Sequence, residues 1–220
     1  MSDLPLLLGH RGTRLPVSVP ENTFASFDLA LEHGCGGFEF DVRLTGRGRA
    51  VICHDPKVEG VTVSTASAEE LLHLPCLEDV LQRYSHRAFL DIELKVPGLE
   101  SKVLHSLREY RLEADYVVSS FLPGVVAELK TRNASVQAGI ICDQPAQLAC
   151  FRELEIEYVI PHHRLITRKV VQEVHSAGRK ILAWTVNDRS SMLRLADWGV
   201  DGIISDNTQL LVRTFESPSA

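Results

Sequence analysis

Short apolar runs rich in branched residues alternate with longer amphipathic stretches from one end of this 220-residue chain to the other. That alternation is the pattern of an α/β architecture. Eight runs read as strands: Leu6 to Leu8, Gly37 to Val42, Ala88 to Lys95, Tyr116 to Ser120, Val136 to Ile141, Glu157 to Ile160, Lys180 to Val186 and Gly202 to Ser205. A further short run, Ala50 to Cys53, follows the second. Helices are expected at Asn22 to His33, Leu77 to Tyr84, Leu99 to Arg111, Pro123 to Thr131, Pro145 to Leu154, Thr167 to Ala177, Arg189 to Ala196 and Asn207 to Phe215. Gly34, Gly178 and Gly199 stand where three of them must stop, as a helix C-terminus favours. Eight strand-helix units of about 27 residues each fit a TIM-type (β/α)8 barrel at the lean end of its size range. A doubly wound open sheet fits less well, because no Gly-rich dinucleotide turn follows the first strand. Only Lys57 to Pro75 breaks the rhythm, and it reads as a short insertion after the second strand. With no linker composition or low-complexity tract, residues 1–220 are expected to form a single barrel domain.

Gly9-His10-Arg11-Gly12 directly follows the first strand. Barrel enzymes keep their active sites at the C-terminal ends of strands, and the glycines let backbone approach a ligand. Arg11 suits a phosphate or carboxylate, to which a guanidinium gives two parallel hydrogen bonds. In Phe38-Glu39-Phe40-Asp41-Val42 the two carboxylates share one strand face and the apolar residues the other. The apolar face must meet the helices, so Glu39 and Asp41 turn inward at the barrel mouth. They lie about 6 to 7 Å apart along the strand, and in a partly buried site they repel one another. Leu90-Asp91-Ile92-Glu93-Leu94-Lys95 repeats the pattern and aims three more ionisable groups inward. A hard divalent cation, Mg2+ or Ca2+, held by Glu39, Asp41 and Glu93 would resolve the repulsion. The competing reading is a buried ion-pair network with Lys95 as counter-ion, but one lysine neutralises only one of four carboxylates.

Cys53-His54-Asp55-Pro56 supplies a second histidine beside the carboxylate strand. Two imidazoles, His10 and His54, are what phosphodiester cleavage needs: one takes a proton from the nucleophile and the other gives one to the leaving alkoxide. His33, His73, His86, His105 and His175 read as solvated or capping residues, and one of His162-His163 could reach the mouth. Arg43, Arg47 and Arg49 look like a charged turn. Trp184 closes the seventh strand, where it could line the pocket floor or simply pack in the core.

These residues together resemble the glycerophosphodiester phosphodiesterase family. His10-Arg11-Gly12, Pro20-Glu21-Asn22-Thr23, Glu39-x-Asp41, His54-Asp55, Glu93 with Lys95, Ser119-Ser120-Phe121, Trp184-Thr185-Val186-Asn187 and Asp201-Gly202-Ile203-Ile204-Ser205-Asp206 occur in the family's order. The resemblance implies metal-dependent hydrolysis of glycerophosphodiesters to sn-glycerol 3-phosphate and an alcohol. By position it makes His10 and His54 the acid-base pair and Glu39, Asp41 and Glu93 the metal ligands. Arg11 and Lys95 become the cations that hold the phosphate, with Glu21 and Asn22 shaping the mouth and Trp184 lining it. The implied route is attack by the substrate's own glycerol hydroxyl through a cyclic phosphate, or direct attack by water. Thr45-Gly46-Arg47-Gly48 puts a cation where the family usually has an acid. Lys57 to Pro75 lacks the family's longer Arg-Thr-Thr-like cap, and Asp206-Asn207-Thr208 replaces a closing Asp-x-Pro. These departures bear on head-group choice. A lysophospholipase D-like phosphodiesterase and a non-catalytic phosphate-binding barrel are the alternatives.

Composition narrows partners and compartment. Twenty-three Lys and Arg stand against 29 Asp and Glu, for a net charge of -6, which disfavours nucleic acid and anionic lipid surfaces and suits a small-molecule substrate. Five cysteines without a C-x-x-C pair read as reduced thiols. Asp3 stands where an export signal would carry Lys or Arg, and no apolar run is long enough to span a bilayer. The expected location is the cytoplasm.

Overall fold

A computed structural model describes residues 4–67, 69–112 and 115–216. Asp3 and the extreme ends of the expected 1–220 domain lie outside the described residues. The strands are β1 (Leu6–Gly9), β2 (Gly37–Leu44), β3 (Ala50–Ile52), β4 (Lys57–Val58), β5 (Val61–Thr62), β6 (Phe89–Leu94), β7 (Tyr116–Ser120), β8 (Ala138–Cys142), β9 (Tyr158–Pro161), β10 (Lys180–Ala183) and β11 (Gly202–Ser205). Between them run α1 (Phe24–Glu32), α2 (Leu77–Tyr84), α3 (Glu100–Glu109), α4 (Pro123–Arg132), α5 (Pro145–Ala149), α6 (Arg168–Ser176), α7 (Arg189–Trp198) and α8 (Thr208–Phe215). β1, β2 and β6 to β11 pair in parallel around a ring that closes where β1 meets both β2 and β11. This is the expected (β/α)8 barrel.

The strand alternation divides the interior into two apolar layers. Phe38, Phe40, Val42, Leu90, Ile92 and Leu94 point outward and are fully buried against the helices. Around Phe38 the rings of Phe27 and Tyr84 pack at 4.3 and 4.9 Å, one stacked and one edge-on. Leu8, Val117, Ile141, Tyr158, Ile160, Leu182 and Ile204 point inward and fill the barrel beneath its mouth. With hydrocarbon closing the interior from below, the polar inward residues of β2 and β6 are left at the C-terminal end, where barrel sites form.

After β2 the chain turns back as β3, antiparallel to it, and then forms the β4–β5 hairpin. This insertion carries its own small core of Val51, Cys53, Val63, Ala66 and Leu71. Arg49 ties it down, donating to the carbonyls of Leu71 at 2.9 Å and Leu74 at 3.0 Å. No helix among the described residues is long and apolar enough to cross a membrane.

Several element ends differ by a residue or more from the sequence reading, and three of the differences have a clear cause. α1 begins at Phe24 rather than Asn22, because Thr23 caps it and Asn22 sits at φ 57° with its amide turned to the site. α5 stops at Ala149, where the chain tightens into the 3-10 turn Cys150–Arg152 and seats Phe151 in the core. β10 ends at Ala183, and Trp184 joins its neighbour through a single bridge to His162.

Candidate active site

Each polar group at the mouth is placed by a strand end. The parallel register sets Glu39 beside Asp91 and Asp41 beside Glu93, so four carboxylates share the inner face of two adjacent strands. All four are buried. Such crowding is costly unless the charges are offset or protonated. Burial, reinforced by Asp41, Glu93 and Asp91, pushes Glu39 well above the usual carboxylate range. Burial and Asp41 raise Glu93 to about 7. Asp91 is also raised to about 7, chiefly by burial, although Ser119 donates to its Oδ1 at 2.5 Å. Asp41 goes the other way: against the burial effect, Lys95 and Arg11 hold it below the ordinary value, helped by the amide of Asn22 at 2.8 Å.

Glu39, Asp41 and Glu93 each offer an oxygen lying within 4.8 Å of the other two. Glu39 Oε1 and Asp91 Oδ2 are buried without a hydrogen-bond partner among the described residues. Asp41 Oδ1 and Glu93 Oε1 meet only Lys95 Nζ, at 3.2 and 2.6 Å, and those ion contacts lack hydrogen-bond direction. Orphaned, mutually repelling carboxylate oxygens are the donor set that a hard divalent cation takes. The three residues therefore fit a metal ion, and one lysine does not satisfy them.

The loop after β1 closes one side. Gly12 takes φ 83°, and a Cβ there would fall 2.5 Å from the Ser26 backbone, so this turn against α1 requires glycine. The turn leaves Arg11 at φ 53° with its backbone N–H donating to Glu39 Oε2 at 2.9 Å. The Arg11 guanidinium reaches Glu21 at 2.6 Å and Asp41 at 3.2 Å. Glu21, expected to help shape the mouth, pairs with Arg11 and also meets Arg14 at 2.6 Å. His10 leans over the carboxylates, with Nε2 3.8 Å from Glu39 Oε2 and Nδ1 2.7 Å from Asp206 Oδ1. His54 stands across the mouth, its Nδ1 2.8 Å from Asp55 Oδ1 and its side chain 36% exposed.

His10, Arg11, Glu39, His54, Asp91, Glu93, Lys95, Phe121 and Trp184 line one cavity of about 140 Å³. Phe121 meets Trp184 edge-on at 5.4 Å, and Trp184 Nε1 donates to Ile160 O at 2.8 Å, which fixes the indole as part of the wall. The sequence-derived site residues thus converge on this cavity, apart from Asp41 and Glu21, which lie immediately behind its lining.

Several residues outside the sequence-derived set matter here. Arg43, read as part of a charged turn, lies in β2 and donates from Nε to the His54 carbonyl at 2.7 Å, so it holds the loop that carries this histidine. Arg49 leaves the turn as well, and Arg47 alone remains exposed on it. Asp206, which the sequence reading places only within the closing motif and gives no role, is the partner of His10. Asn187 holds Asp206 in turn, donating to its Oδ2 at 2.6 Å. Their signal was membership of the two motifs at the ends of the last two barrel strands, Trp184 to Asn187 and Asp201 to Asp206. His33 and His175 bond Thr208 and Asp201 on the outside of the barrel, as structural residues. His162 packs edge-on against Trp184 at 5.3 Å, behind the cavity wall.

A parallel eight-stranded barrel with a buried, histidine-flanked carboxylate cluster at its C-terminal mouth has the architecture of the TIM-barrel enzymes, which keep their sites at this end. Sequence comparison gives the family: residues 10–210 match the glycerophosphoryl diester phosphodiesterase family, and the chain belongs to it. A glycerophosphodiester phosphodiesterase of Caldanaerobacter subterraneus subsp. tengcongensis is 30% identical over 237 aligned positions, covering 94% of this chain and 96% of the relative. One from Bacillus altitudinis is 28% identical, covering 91% and 94%. A solved phosphodiesterase of Oleispira antarctica, in complex with the product sn-glycerol-3-phosphate, superposes with a TM-score of 0.85 at 26% identity, covering 97% of this chain and 98% of that one.

Proposed function

We propose that this chain, as a single barrel domain over residues 1–220, hydrolyses small glycerophosphodiesters to sn-glycerol 3-phosphate and an alcohol. His10 and His54 form the acid-base pair, and Glu39, Asp41 and Glu93 hold a divalent cation, Mg2+ or Ca2+. The observation that carries the reading is the carboxylate cluster with its unpartnered oxygens, set between two histidines in one cavity. Binding of a phosphate alone does not call for an acid-base pair. The product complex of the Oleispira antarctica relative and the names of the bacterial relatives support the same chemistry.

The cation, when bound, neutralises the carboxylates and draws charge from a phosphoryl oxygen. Lys95 and Arg11 supply further positive charge at the phosphate, where preorganised cations stabilise charge that develops in the transition state. One histidine takes the proton of the attacking hydroxyl, either the substrate's glycerol hydroxyl or water, and the other protonates the leaving alkoxide. Phe121 and Trp184 close one wall against bulk water. The five cysteines, all unpaired, accord with a cytoplasmic location.

The test is release of sn-glycerol 3-phosphate from glycerophosphocholine by the purified protein, in a coupled assay with EDTA and with Mg2+ or Ca2+ added back. Turnover abolished by EDTA and restored by one cation is the expected result. Turnover indifferent to EDTA would refute the metal assignment, and no turnover with any cation would refute the hydrolase reading for this substrate.

A further inference from the structure

Asp206 is 196 residues from His10 in sequence, but the β1–β11 register sets Gly9 beside Ser205 and so brings the two side chains together. Asp206 Oδ1 lies 2.7 Å from His10 Nδ1, while Asn187 Nδ2 donates to Oδ2 at 2.6 Å and Arg14 Nη1 donates to Oδ1 at 3.4 Å. The amide of Asn187 has a fixed sense. Its Oδ1 accepts the backbone N–H of Asp206 at 2.9 Å and the Ser205 hydroxyl at 3.1 Å. A backbone N–H can only donate. Oδ1 must therefore face it, Nδ2 must face the carboxylate, and Oδ2 must accept. Asn187 and Arg14 thus both donate to Asp206, and a carboxylate, which only accepts, calls for a donor at His10 Nδ1 as well.

Resting on the acid-base role given to His10 above, we propose that Asp206 is a positioning residue. It holds His10 as the Nδ1–H tautomer, with the Nε2 lone pair turned into the cavity, and Asn187 fixes Asp206 for that task. His10 can then accept a proton at Nε2, and the imidazolium so formed faces a carboxylate across its other nitrogen. A histidine held in the wrong tautomer presents an N–H where a lone pair is needed and cannot act as a base, which is the logic of a histidine-carboxylate pair in acyl transfer. Asp55 offers His54 a similar contact, but its side chain is 73% exposed and has no comparable amide holding it. The amide-held brace is particular to His10.

Asp206→Asn tests this with opposite demands. Asn187 Nδ2 still requires an acceptor, so the new amide must place its oxygen toward Asn187 and its NH2 toward His10. Nδ1 of His10 then becomes an acceptor and the proton moves to Nε2. Exchanging the two residues, in the double variant Asp206→Asn with Asn187→Asp, reverses this. The carboxylate introduced at position 187 accepts from the amide introduced at position 206, whose oxygen is free to receive His10 Nδ1–H again. The measurement is the ring 15N spectrum of histidine-labelled protein, with His10 assigned by its loss in His10→Gln, alongside kcat and KM for the metal-loaded enzyme.

The wild-type spectrum should show His10 protonated at Nδ1 and bare at Nε2. The single variant should show the reverse, with kcat lower by about a hundredfold or more and KM changed far less. The double variant should restore the Nδ1–H signature and recover about tenfold or more of the lost kcat. Wild-type His10 bearing its proton on Nε2 overturns the proposal without reference to any variant, as does Asp206→Asn with the original tautomer or with kcat within threefold of wild type. His10→Ala separates the two layers. If His10→Ala is active, the acid-base reading itself fails; if it is inactive while Asp206→Asn is not, only the positioning role fails.

Discussion

Stripping divalent cations from this protein should make its stability fall as pH rises from 5 to 8. Glu93 and Asp91 are raised to about 7 in the folded chain, and Glu39 is raised well above its ordinary value. Unfolded, all three would titrate near 4. Between about pH 4 and 7 the folded state therefore binds more protons than the unfolded state, and the linkage relation makes stability decline with rising pH. Asp41, shifted down, titrates below this window. For Glu93 the change from 4.5 to about 7 corresponds to about 3 kcal/mol. In a chain of this size that amounts to a fall in Tm of roughly 6 to 12 °C.

The assay is thermal unfolding in EDTA at half-unit pH steps, repeated with Mg2+ and with Ca2+. Because a cation competes with protons for the same oxygens, its stabilising effect should be small at pH 5 and grow toward pH 8. At a hundred times its dissociation constant it would restore about 2.7 kcal/mol. Glu93→Gln should flatten the EDTA curve and abolish most of the cation effect. A Tm in EDTA that is level or rising between pH 5 and 7.5 would refute the claim that these carboxylates are buried against their own charge.

Three further outcomes follow from the same geometry. His10→Ala and His54→Ala should each lower kcat by about a hundredfold or more while leaving Tm within a few degrees, and near-normal turnover of either would remove it from the acid-base pair. Arg43→Ala removes the donor to the His54 carbonyl. A lost bond from a charged group of about 1.5 to 3 kcal/mol should cut turnover by about tenfold and lower Tm by roughly 3 to 12 °C; unchanged kcat would show that the loop holds itself. Phe38→Ala empties the space between Phe27 and Tyr84 and should destabilise by about 3 to 5 kcal/mol in urea unfolding, whereas a loss below about 1 kcal/mol would contradict the outer core.

The inward aim of Glu39, Asp41, Asp91, Glu93 and Lys95 was legible in the sequence because side chains alternate along a strand and the apolar residues between them had to meet helices. The barrel itself was legible from the same period-two runs set between helical stretches. His10 and His54 could be picked out because each directly follows an apolar run. The ends of α1, α5 and β10 were less so, since Asn22, Phe151 and Trp184 answer to partners distant in the chain rather than to neighbours.

Which faces are apolar and which polar is written along the chain, and with that pattern come the fold, the mouth and the carboxylate set. Who pairs with whom was settled only when the barrel closed. Asp206 meets His10 because the ring joins β11 to β1, Arg43 reaches the His54 carbonyl because β2 extends beyond the ring, and Glu21 braces Arg11 because Gly12 turns the chain against α1. Local pattern encodes burial, which every residue feels through its own side chain. Hydrogen-bond partnership depends on ring closure and strand register, which no local stretch of the chain contains.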